Sequence, residues 1–141
     1  MLAKMSFGGA FETPDVLWTN SNPATTFAGG MIVDATTVSK YKWIVLEYTY
    51  STNNRTPRRY IMIPVYDSTG TLYYNNGMTF GISGGNTSLT GYIRGIFVNQ
   101  SGVGISGATA YGGASTAANT EMIPLTIYGY KCDFPFTVAP I

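Results

Sequence analysis

The side chains of this sequence that could carry chemistry are few, and their types narrow what that chemistry can be. Seven carboxylates are present: Glu12, Asp15, Asp34, Glu47, Asp67, Glu121 and Asp133. Glycoside hydrolysis would need two of them facing one cleft, at the separation that sets retention or inversion. No spacing along the chain marks such a pair. Asp15, Asp34 and Asp67 lie beside turn residues, where a carboxylate caps a backbone amide. Glu47 stands apart as a charge inside an otherwise apolar strand pattern. Its expected role is structural, paired with Arg94 or with an arginine of the loop that follows. Histidine is absent, which removes the commonest general base and the commonest metal ligand together. The one cysteine, Cys132, has no second thiol to pair with and no base beside it in sequence. The glycine-rich run Gly81 to Asn86 lacks the Lys-Ser/Thr pair of a phosphate cradle. The expectation is a protein with no catalytic residues, no metal and no cofactor.

Binding chemistry is better represented. Arg55, Arg58 and Arg59 cluster around one loop, and guanidinium forms bidentate hydrogen bonds with phosphate or carboxylate. Tyr73, Tyr74, Asn75 and Asn76 combine aromatic faces with amide donors and acceptors, the mixture that holds a sugar ring. These seven residues are the glycan-binding candidates. The plainer expectation for each set is a solvated turn and ordinary sheet packing.

The elements that must position these residues read as strands. Turn signals recur at short intervals and no long 3.6-residue pattern survives between them. Only Asp34 to Tyr41 leaves room for a helical turn. Strands are predicted at Trp43 to Tyr50 and Arg59 to Tyr66, paired so that Tyr50 faces Arg59. That register stacks Ile44, Leu46 and Tyr48 on Val65, Ile63 and Ile61. The opposite face then carries Trp43, Val45, Tyr60, Met62 and Tyr66, which also wants cover, from the chain itself or from a neighbouring subunit. These five are the candidate oligomer interface. A second hairpin is predicted to turn at Asn76-Gly77, because both positions of such a turn favour positive φ. Further strands are predicted at Ser88 to Val98, Val103 to Tyr111 and Glu121 to Lys131, with a loop over Gly112 to Thr120. The fold expected is all-β, an antiparallel jelly-roll-like β-sandwich of about eight strands.

Two segments frame this pattern. Leu17-Trp18-Thr19-Asn20-Ser21-Asn22-Pro23-Ala24-Thr25-Thr26-Phe27 opens it, and Ile123-Pro124-Leu125-Thr126-Ile127-Tyr128-Gly129-Tyr130-Lys131 closes it. Together they resemble the ends of a β-module of phage and prophage tail-fibre or minor structural proteins. The resemblance covers about Asp15 to Lys131. It implies a virion setting, a homo-oligomer (commonly a trimer), and no catalytic group. Trp18 is then a packing residue, and Asn20, Asn22 and Pro23 fix the following turn. The division expected is one domain over residues 1–141: an arm at 1–14, the module at 15–131 and a tail at 132–141.

Composition agrees with adhesion. Charged residues make up 11% of the chain, against about 25% in an average domain. A surface of Thr, Ser, Asn, Gly and Tyr solubilises poorly and desolvates cheaply against a partner. A net charge of +1 gives no footprint for nucleic acid. No apolar run approaches a membrane span, and the first residues are too short and polar for a signal peptide. The function expected is a non-enzymatic virion protein of a tail fibre or baseplate, made in the bacterial cytoplasm, touching other virion proteins and host glycans. The alternatives are a capsid decoration or head-fibre protein, and a carbohydrate-binding module of a bacterial wall-active protein.

Overall fold

The computed structural model describes residues 5–7, 10–51, 58–66, 76–84, 90–112 and 119–132. In chain order the elements are β1 (Met5–Phe7), β2 (Ala10–Glu12), β3 (Asp15–Thr19), β4 (Gly30–Asp34), α1 (Ala35–Val38), β5 (Trp43–Ser51) and β6 (Arg59–Pro64). They continue with β7 (Asn76–Gly84), β8 (Thr90–Asn99), β9 (Gly102–Ile105), β10 (Thr109–Gly112) and β11 (Glu121–Tyr130). The chain is an antiparallel β-sandwich, as its alternation of apolar and polar residues requires. One sheet has four strands in the order β3-β11-β5-β6. In the other, of five strands, β8 pairs with β7 along one edge and with both β10 and β9 along the other, while β4 closes on β9. β1 and β2 form a separate two-stranded ribbon.

The core lies between the sheets. Ile44, Leu46, Tyr48, Ile63 and Ile127 of the four-stranded sheet meet Val33, Ile96, Val98, Val103 and Ile105 of the five-stranded one. Each fully buried aliphatic side chain contributes about 1.5–3 kcal/mol. The helical turn α1 plugs one margin with Val38, which is wholly buried. Asp34 starts that turn by accepting from the Thr37 amide at 2.9 Å, the capping role its sequence position suggested.

The segments that open and close the module-like region are neighbours. In β3 against β11, Trp18 sits opposite Ile127 and Thr19 opposite Thr126. Asn20 continues the contact: its amide N–H donates to Leu125 O at 2.8 Å and its side chain to Pro124 O at 2.9 Å. Its Oδ1 accepts from the Asn22 amide at 2.9 Å, which holds the turn after β3. Trp18 packs on the core and meets Phe27 edge-to-face at 5.9 Å.

Three details differ from the sequence expectation. The β5–β6 register is shifted by two residues: Ile44 faces Ile63, Leu46 faces Ile61, and Tyr48 faces Arg59. A slip of two keeps every side chain on its own face, so face composition could not have detected it. Asn76-Gly77 is not a turn. Both residues lie in β7, opposite Val98 and Phe97 in a nine-residue pairing with β8, and among the described residues positive φ falls at Gly29, Gly30, Gly102 and Met122 instead. Nine continuous pairs outweigh a local turn preference. The strand expected from Val103 to Tyr111 is broken at 106–108 into β9 and β10.

Candidate functional site

Register assembles the outer face of the four-stranded sheet row by row. One row runs Val16, Tyr128, Val45, Met62 from β3 to β6, and the next runs Thr19, Thr126, Glu47, Tyr60. A third joins Tyr130, Trp43 and Pro64. Val45, Tyr128 and Tyr130 are buried, with half-buried Trp43, Met62 and Cys132 packed against them. The two margins remain open: Val16 is 61% exposed on β3 and Tyr60 is 47% exposed on β6.

Glu47 occupies the middle of this face and is 1% exposed. Its Oε1 accepts from Arg58 Nη1 at 2.7 Å and from the Tyr60 hydroxyl at 3.3 Å. Its Oε2 accepts from the Tyr128 hydroxyl at 3.0 Å. Burial pushes the carboxyl up, but the hydrogen bonds from Arg58 and Tyr128, with the charge of Arg58, more than offset this and leave it below its ordinary value. Burial and the carboxylate raise both phenols, so each stays a donor at neutral pH. The arrangement holds an ionised carboxylate still, with both oxygens engaged.

Arg94, the other partner considered for Glu47, points the opposite way. It is 1% exposed, on the core side of β8. Nε donates to Glu121 O at 2.9 Å, Nη1 to Ser106 O at 2.8 Å and Nη2 to Asn119 O at 3.1 Å. Its guanidinium also lies 5.5 Å from the centre of the Phe27 ring. Burial lowers it to about 10, which leaves it charged at neutral pH. Asn119 is a second hub: its carbonyl also accepts from the Phe27 amide at 2.8 Å, and its Oδ1 accepts from the Ala108 amide at 2.9 Å. This cluster closes the gap between β9 and β10 and ties it to the start of β11. Its role is architectural.

The remaining candidates separate. Tyr73, Tyr74, Asn75 and Arg55 lie outside the described residues, as does the tail after Cys132. Asn76 opens β7 in the five-stranded sheet, whereas Arg58 and Arg59 lie at the entry to β6 in the four-stranded one. Arg58 lies on the outer face, whereas Arg59 pairs with Tyr48 in a row of the core side. Of the interface candidates, Trp43, Val45, Tyr60 and Met62 share the outer face. Tyr66 instead packs on the core and donates its hydroxyl to Ser39 O at 2.6 Å. Asp15 accepts from the Tyr41 hydroxyl at 2.9 Å and pairs with Lys131 at 3.1 Å, rather than capping an amide. Among the described residues, no three His, Cys, Asp or Glu side chains come close enough to hold a metal, and no helix is long and apolar enough to cross a membrane.

The sequence reading missed Tyr128 and Asn119. Tyr128 reaches Glu47 only because β11 lies beside β5, an adjacency that periodicity does not encode. The inward placement of Arg94 did have a signal, since it alternates in step with Ile96 and Val98. A scan against family models and searches of curated proteins and of solved structures find no match for this chain.

Proposed function

We propose that this chain is a non-enzymatic structural protein of a phage or prophage particle, in a tail fibre or baseplate, that works by adhesion. It assembles with copies of itself, a trimer being the form its sequence resemblance implies, and contacts glycans of a bacterial surface. One observation carries the reading: the outer face of the four-stranded sheet. Its buried carboxylate, Glu47, is locked by donors from Arg58, Tyr60 and Tyr128, and its margins are an exposed valine and an exposed tyrosine. Such margins, held on a rigid and buried centre, are cheap to desolvate, which suits contact more than turnover. The low charge of the chain and the hydrogen-bonded junction of its opening and closing motifs support the same reading. Pull-down of the purified chain on bacterial cell walls tests it. Retention on walls is expected; a chain that is neither retained nor associated with itself would contradict the proposal.

A further inference from the structure

Arg58 and Tyr60 stand exposed side by side over the buried Glu47, and we propose that this β6 margin of the outer face is a shallow site for an anionic saccharide. The inference rests on the adhesion reading above and gives the glycan contact a place and a ligand class. A sugar ring has a hydroxyl edge and a C–H face. The donors of Arg58 suit the first, and the ring of Tyr60 suits the second.

Two groups at the margin are open to a ligand. Tyr60 is 47% exposed and offers its ring for stacking. The Arg58 side chain is 55% exposed while its Nη1 is held on Glu47 at 2.7 Å. A guanidinium has five N–H donors in a fixed fork, so one bond to Glu47 leaves others for a carboxylate or phosphate. Glu47, buried beneath both, acts as a positioning residue: it orders Arg58 and Tyr60 before any ligand arrives, which lowers the entropy lost on binding. The Glu47–Arg58 pair is neutral as a unit. Recognition therefore relies on directed hydrogen bonds and stacking more than on long-range attraction.

The test measures binding of the full chain to polygalacturonate, which supplies carboxylates, to poly(glycerol phosphate) teichoic acid, which supplies phosphates, and to neutral dextran. Arg58→Lys keeps a cation on Glu47 but removes the fork, Tyr60→Ala removes the ring, and Tyr60→Phe keeps the ring. Melting curves verify that each variant folds. The wild type is expected to bind one of the anionic polymers and not dextran. Arg58→Lys and Tyr60→Ala should each weaken that binding about tenfold or more, with Tyr60→Phe close to wild type. Wild-type affinity in folded Arg58→Lys and Tyr60→Ala overturns this site while the adhesion reading stands. Equal binding to dextran, or retention on cell walls without affinity for either anionic polymer, overturns the ligand class. Failure to bind walls and polymers alike removes the site and the glycan part of the adhesion reading together.

Discussion

Arg94 and Glu47 are both buried charges, the first between the sheets and the second on the outer side of the four-stranded sheet, and each is held by a different logic. Arg94 donates to the carbonyls of Ser106, Asn119 and Glu121, so its removal would orphan acceptors at the β9–β10 break and at the entry to β11. Arg94→Met should cost about 3 kcal/mol or more, read as a lower melting temperature, and Arg94→Lys should recover part of it. Glu47 gives a pH signature. Its carboxyl is lowered from an ordinary 4.5, so its contribution is fully present above that value and is lost as pH falls through the lower folded value. Glu47→Gln should therefore flatten the loss of stability below about pH 4.5 and cost ~1 kcal/mol at neutral pH, a modest figure because Arg58 is half exposed to solvent. Acid-unfolding curves of the two proteins decide it. The sequence made Glu47 conspicuous, a lone charge between Leu46 and Tyr48, and limited its arginine partner to two sources. Which one was left open, because choosing needed the face that Arg94 occupies.

At the scale of elements, strand positions were legible wherever alternation was long and apolar. β5, β8 and β11 fall close to their expected bounds for that reason. Pairing was less legible. The β5–β6 register depends on the loop between the strands, and a two-residue slip leaves both faces unchanged. At Asn76-Gly77 a strong local signal lost to nine residues of pairing with β8. The β3–β11 junction joins segments more than a hundred residues apart, such as Asn20 and Pro124, and in the sequence only the resemblance to the two ends of a module set them together. That junction is tightly built. The Tyr41 ring covers Gly129, where an added Cβ would lie 2.5 Å from the ring. Gly129→Ala should force the ring aside, weaken the Tyr41–Asp15 hydrogen bond and cost ~1–3 kcal/mol. Thermal melting checks the loss, and an unchanged melting temperature would show that the ring shifts freely.

For the whole molecule, the distribution of charge matters more than any one site. A chain with 11% charged residues has only a thin ionic coat, and the structure places two of those charges, Arg94 and Glu47, inside. Among the described residues the exposed positions are mostly Thr, Ser, Gly and a few charges, with Val16, Met31 and Tyr60 as exposed large apolar groups on both sheets. The sandwich class was readable from turn spacing and alternation. The outer face of the four-stranded sheet was only half readable, because it is assembled from β3, β11, β5 and β6 by a strand order that no local pattern specifies. On the proposed reading, such a body covers part of its surface with copies of itself. Multi-angle light scattering on the purified chain, over a range of concentrations, tests that claim most directly. The account predicts a mass that is a multiple of the 15.2 kDa subunit; a lone subunit, soluble and unassociated at every concentration, would contradict it.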